Sequence, residues 1–162
     1  MSKEQQSNVI HLLWSGPHKV DSFKTNSTID NNKGVYQIYG THPIYGRNVL
    51  LYIGKTNDNF INRISAHDDV WIKYEYDEVT IYTGTVVDEY GEGVESEEDE
   101  KTLIDRAEQL LLYYCAPAYN SNGIQKLKIT EDRRLLNYGK IGSLPTEVST
   151  LWEKSKVWEK FK

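Results

Sequence analysis

Two runs in the first half of the chain alternate their side chains with the two-residue period of a strand. In residues 33–40, Lys-Gly-Val-Tyr-Gln-Ile-Tyr-Gly, positions Val35, Gln37 and Tyr39 oppose Tyr36 and Ile38. Val49-Leu50-Leu51-Tyr52-Ile53 is a second β-rich run, and Tyr45-Gly46-Arg47-Asn48 between the two is turn-like. The pair predicts an antiparallel hairpin. Gly54 lets the chain leave the strand, and Lys55-Thr56-Asn57-Asp58 leads into a helix with Asn57 or Asp58 as N-cap.

Helical spacing takes over downstream. Arg63 and His67 stand four residues apart and so share a helix face. A longer helix is predicted from Glu98 to Tyr114, where Leu103, Ala107, Leu110, Leu111 and Tyr114 form an apolar stripe. Glu108 lies beside that stripe. Pro117 stops the helix, and Asn120 follows in a loop, residues 118–123, whose return brings it back near Glu108. These elements predict an α/β (α+β) domain over residues 33–123, with a small central, mainly antiparallel sheet flanked by helices. Residues 1–32, with Ile10-His11-Leu12-Leu13-Trp14, read as an N-terminal extension whose short helix or strand packs on the domain. Residues 124–162 read as a helical extension in which lysines and arginines interleave with Tyr138, Trp152, Trp158 and Phe161.

The polar residues of the central region are types that phosphodiester hydrolysis requires. An attacking water must be activated, charge on the phosphoryl oxygens neutralised, and the departing 3′ oxygen stabilised. Arg63 presents a planar, permanently charged fork suited to phosphate. Glu108 is a hard oxygen donor of the kind that holds Mg²⁺, an ion that keeps several waters and takes one or two protein oxygens. A tyrosine is a weak base with a pKa near ~10 until a nearby cation perturbs it. Taken singly, each of these residues has an ordinary structural use, as a core ring, a surface charge or a turn former.

The order of the whole set carries more. Gly34-Val35-Tyr36 and Leu51-Tyr52-Ile53-Gly54, followed by Arg63, His67, Glu108 and Asn120, resemble the GIY-YIG nuclease family over residues 33–123. The first motif departs conservatively from its namesake, with valine in the middle. The resemblance implies a GIY-YIG-like fold, its central sheet three-stranded, and metal-dependent cutting of DNA. It casts one of the two tyrosines, Tyr36 or Tyr52, as general base, a role taken here for Tyr36, with Arg63 as phosphate ligand and His67 as an orienting or proton-relaying group. Glu108 becomes the metal ligand for Mg²⁺ or Mn²⁺, Asn120 a brace, and Lys55 a group that perturbs the tyrosine. The spacings of four between Arg63 and His67 and twelve between Glu108 and Asn120 look like restriction-type members, a role that would bring a homodimer and a cognate methyltransferase as partners beside DNA. The competing reading is a non-catalytic nucleic-acid-binding or regulatory module on the same scaffold.

Charge tempers the DNA reading. The 162 residues carry a formal charge of −5, whereas a DNA-binding domain is expected to be basic. Eight acidic residues and no basic one fall between Asp88 and Glu100, and without them nineteen basic residues face sixteen acidic ones. That stretch reads as a mobile acidic loop leading into a helical first turn that the helix dipole favours, or as a mask over the site. One cysteine, Cys115, excludes an internal disulfide. No apolar run approaches the ~18 residues of a membrane span, and the start does not read as a signal peptide. A cytoplasmic protein with no membrane partner is expected.

Overall fold

The computed structural model describes residues 8–25, 32–75, 77–152 and 160. The alternating runs form the expected hairpin. β2 (Gly34–His42) and β3 (Gly46–Thr56) pair antiparallel, from Gly34 opposite Thr56 to His42 opposite Gly46. The turn falls on residues 43–45, and Gly46, expected in the turn, already belongs to β3 with φ +89°. β2 also pairs antiparallel with β4 (Thr80–Val87).

The expected three-stranded sheet is too small. β3-β2-β4 is one half of a six-stranded mixed sheet, ordered β3-β2-β4-β1-β5-β6. The other half comes from both sides of residues 33–123. β1 (Val9–Lys19) pairs antiparallel with β4 and parallel with β5 (Arg134–Gly139), and β6 (Glu147–Ser149) closes the far edge against β5. The physical reason lies in β4. Left as an edge it would present a row of unpaired backbone donors and acceptors, and β1 satisfies them. The period-2 signal in β1 is clear in the fold, with Ile10, Leu12 and Trp14 buried. Residues 134–139, read as part of a helical extension, are extended, with Leu135 and Asn137 inward.

Helices cover both sides of the sheet. α1 (Val20–Thr25) and α2 (Phe60–Val70) pack Phe23, Phe60 and Ile64 with Tyr36, Ile38 and Ile81. α3 (Glu97–Cys115) packs Ile104, Ala107, Leu110 and Leu111 with Val35, Ile53, Leu12 and Trp14. The two opposed side-chain rows of β2 therefore enter two cores, which is why Val35 to Tyr39 are all buried. Ile38 pairs with Tyr52 and Tyr39 with Leu50, so Leu51 is the extra residue of a β-bulge. Such a bulge re-aims neighbouring side chains. After it, Tyr52 turns to the α2 side and Ile53 to the α3 side.

Gly54 is where two rings require a missing side chain. A Cβ there would lie 2.4 Å from the Tyr36 hydroxyl and 2.8 Å from the Tyr52 ring. Gly54→Ala is expected to lose about 1–3 kcal/mol of stability through overpacking. Denaturant unfolding checks this, and a variant within ~0.5 kcal/mol of the parent, the range of ordinary surface changes, would contradict it. Among the described residues, no helix is long and apolar enough to cross a membrane.

Candidate functional site

The site is assembled around β3, the edge strand, where side chains from the two faces of the sheet meet. On one face stands α2. Asn59 caps it, with Oδ1 accepting the Asn62 N–H at 2.7 Å. The cap is thus one residue beyond Asp58 and two beyond Asn57, the expected positions. Phe60 and Ile64 anchor the helix in the core, which leaves Arg63 and His67 on the flank next to the tyrosines. Arg63 Nε donates to the Tyr36 hydroxyl at 3.2 Å, and His67 Nε2 lies 2.7 Å from the same oxygen. The Tyr36 and Tyr52 rings stack with centroids 6.2 Å apart, and Tyr52 meets His67 edge-on at 5.1 Å. Four residues named from sequence are therefore in mutual contact.

Trp71, which the sequence did not single out, decides the protonation of this cluster. Its indole N–H donates to His67 Nδ1 at 3.1 Å. Indole N–H is a donor only, so Nδ1 carries no proton. The imidazole is then neutral with its proton on Nε2, which donates to the Tyr36 oxygen. That oxygen receives two N–H donors and keeps its own proton free to leave in another direction. Burial, and secondarily the Arg63 charge, lower the His67 pKa from 6.5 to about 4. Burial and the neighbouring Tyr52 push the Tyr36 hydroxyl well above the usual phenol range, against the pull of Arg63.

These geometries carry a linked expectation. An unfolded histidine takes up its proton near 6.5 and folded His67 only near 4. Its contribution to stability is therefore present above the first value and lost as pH falls toward the second. Imidazole nitrogen NMR is expected to show the Nε2–H tautomer throughout about pH 5–8, the range in which an unperturbed histidine changes charge. Trp71→Phe is expected to raise the titration point and relax the tautomer preference. A parent His67 that titrates like a free imidazole would contradict the assignment.

On the other face, α3 begins at the Ser96 N-cap, with Glu97, Glu98, Asp99 and Glu100 in its first turn, where the helix dipole favours them. Further along, Asp105 and Glu108 stand three residues apart and share Lys55. Its ammonium lies 2.7 Å from Asp105 and 3.1 Å from Glu108. Burial raises the Glu108 pKa, opposed by Lys55. Burial also works against the Lys55 charge, but the two carboxylates more than offset it and its pKa is raised. Asp105 was missed from sequence, although the i, i+3 spacing of two acids on one helix was there to find. Among the described residues no group of three or more His, Cys, Asp or Glu forms a metal cluster. The donor set is one half-buried carboxylate paired with Lys55, which could give a hard ion a single protein oxygen, the remainder coming from water and phosphate.

Asn120 reaches the site by a strap along the open edge of β3. Ala118 N–H donates to Leu50 O at 3.2 Å and Tyr119 N–H to Leu51 O at 2.7 Å. The Asn120 amide then pairs with both backbone groups of Ile53 at 2.9 Å each. α3 ends in a left-handed Ala116, which turns the chain into this strap ahead of Pro117. Tyr52, Lys55, Glu108, Gln109, Tyr119 and Asn120 line a cleft of about 400 Å³, and Lys126 and Lys128 stand on its far wall. Tyr36 is fully buried behind Tyr52. The acidic stretch is more ordered than a mobile loop. The Asp88 carboxylate accepts the N–H of Tyr90 and Glu92, and Lys33 pairs with Glu97 and Glu100. Cys115 is a free thiol that burial pushes up to about 11.

No protein-family model, curated protein or solved structure matches the chain.

Proposed function

We propose that the chain is a divalent-metal-dependent DNA endonuclease of the GIY-YIG type. The observation that supports this most is the meeting, around one edge strand, of the Tyr36–Tyr52–Arg63–His67 cluster with the Lys55–Glu108 pair, of which Tyr52, Lys55 and Glu108 line a cleft shared with Lys126 and Lys128. Groups from separate elements meet in the combination that phosphodiester hydrolysis needs. Arg63 neutralises the phosphoryl oxygens as charge develops. Tyr36 is the base. Its anion is stabilised by the two N–H donors already aimed at its oxygen, from Arg63 and His67. Glu108 is the residue that would hold Mg²⁺ or Mn²⁺, and the ion would supply Lewis-acid charge to the phosphoryl group. Lys55 keeps Glu108 ionised in its half-buried setting, and Asn120 fixes the strand that carries Tyr52 and Lys55. A restriction or DNA-processing role in a cytoplasmic setting, with a homodimer and, for restriction, a cognate methyltransferase, belongs to the same proposal.

Two observations favour the runner-up, a non-catalytic nucleic-acid-binding module. The Glu108 carboxylate is already engaged by Lys55, and burial disfavours the Tyr36 anion. The chemistry of the cut ends separates the two. Hydrolysis with a departing 3′ oxygen leaves 5′-phosphate and 3′-hydroxyl termini, so DNA incubated with the purified chain and Mg²⁺ is expected to yield fragments that a ligase rejoins directly. Bound but uncut DNA would favour the module, and 3′-phosphate ends would contradict the proposed chemistry.

A further inference from the structure

One wall of the cleft continues as a ladder of aromatic rings to the tip of the β2–β3 hairpin. Tyr52 packs on Trp71 with centroids 6.1 Å apart, Trp71 on Tyr119 at 5.7 Å, Tyr119 on His42 at 5.8 Å, and His42 stacks on Tyr45 at 4.5 Å and 20°. The outer rungs are open, Tyr119 being 39% and Tyr45 70% exposed. They are also held in place. His42 Nδ1 accepts the backbone N–H groups of Ile44 and Tyr45, both at 3.2 Å, which fixes the hairpin tip around the stacked pair. The inner rungs, Tyr52 and Trp71, pack against the core, but the exposed outer rings Tyr119 and Tyr45 have little use in packing. Flat apolar rings are the surface on which unpaired nucleobases stack.

The opposite wall is built for a backbone. After the strap, residues 126–129 alternate. Leu127 and Ile129 pack on the core while Lys126 and Lys128 are exposed and line the cleft. The segment is tied to α3 by an ion pair between Arg106 and Glu131. Neither lysine is ion-paired with a carboxylate among the described residues. Charges of this kind, spaced along a rigid wall, suit successive phosphates.

We propose that the cleft takes a DNA strand whose bases are unpaired beside the cut, its phosphates running along Lys126 and Lys128 and its bases stacking on Tyr119 and Tyr45. This rests on the nuclease reading and specifies its substrate class. A duplex would keep its bases paired and turned away from the ladder, and only a single or splayed strand presents base faces to Tyr45.

The test measures binding of the full chain by fluorescence anisotropy in EDTA. The probes are a short single strand, a duplex with a splayed arm, and the fully paired duplex of the same sequence. The parent is expected to favour the first two. Tyr45→Ala, at an exposed position where folding is not at stake, should weaken binding to the unpaired probes on the order of tenfold and leave the paired duplex unchanged. Tyr45→Phe should retain the preference, as should Tyr90→Ala at an exposed tyrosine off the ladder. Replacing both Lys126 and Lys128 with alanine should weaken all three probes and flatten the single-strand salt slope by roughly 1.4. A parent that cuts DNA yet binds all three probes equally, or a Tyr45→Ala chain with the parent's preference, overturns this inference and leaves the nuclease reading standing. A parent that binds none of the three overturns both.

Discussion

Glu108→Ala is expected to abolish DNA cleavage while the chain stays folded and still binds DNA. The loss should be large because Glu108 is the carboxylate that shares the cleft with Tyr52, Lys55 and Asn120. A bound cation contributes several kcal/mol of charge stabilisation, which at 1.36 kcal/mol per decade is on the order of a thousandfold in rate. Folding should tolerate the change. Removing Glu108 leaves Lys55 its bond to Asp105 at 2.7 Å, so no charge is stranded. The variant should keep its circular dichroism and unfolding midpoint, lose Mn²⁺ binding followed by electron paramagnetic resonance, and give no nicks in single-turnover assays. Nicking at the parent's rate with Glu108 gone would remove it from the mechanism. Glu108→Gln tests the same point with shape preserved, since a neutral amide is a poor partner for a hard cation.

The second large effect separates the two tyrosines. Tyr36→Phe is expected to lower the single-turnover rate by ~10²- to 10⁴-fold, the usual contribution of a general acid–base group, and Tyr52→Phe by much less. The two rings stack and Arg63 interacts with both hydroxyls, but the Tyr36 oxygen also meets His67 Nε2. The Tyr36 oxygen is held by Arg63 Nε and His67 Nε2, two donors that favour its anion. Tyr52 lines the cleft wall with Lys55 and Glu108, where it positions the strand. Burial of Tyr36 works against ionisation, so the base is expected to act only with phosphate charge and cation in place. The activity should rise with pH across the neutral range for the same reason. A Tyr36→Phe chain as fast as the parent, with Tyr52→Phe inactive, would move the base to Tyr52 and leave Arg63, Glu108 and the cleft as they are.

What could be read from the sequence, and what could not, divides along a physical line. The hairpin, both main helices and the side on which Arg63 and His67 lie were legible, because each follows from periodicity within a single element. Which strands pair across the sheet was not. β1 lies in a stretch where a five-residue apolar run is equally consistent with helix or strand, and its partners are far away in sequence, His11 opposite Val87 and beside Leu136. The three-stranded expectation failed there. The site residues were legible as an ordered set. Their geometry depended on features that local patterns do not encode: a bulge at Leu51 that sends Leu50 and Tyr52, two residues apart, into different cores, and a strap that pairs the Asn120 amide with the Ile53 backbone. Trp71 was invisible as chemistry because an indole on a helix end is usually packing. Only its 3.1 Å approach to His67 Nδ1 gives it a role. The acidic stretch was legible as charge, but its turn depends on Asp88 accepting backbone N–H groups of Tyr90 and Glu92, an arrangement that composition alone does not report.

The central claim is that this cleft cuts DNA with the help of a divalent cation, and the direct measurement is nicking of supercoiled plasmid by the purified parent chain in Mg²⁺, in Mn²⁺ and in EDTA, run beside Glu108→Ala from the same preparation. The account expects relaxed and linear products from the parent with either metal, none in EDTA, and none from the variant in any lane. A parent that leaves the plasmid supercoiled with both metals, or cutting that persists in EDTA or in the variant, would contradict it.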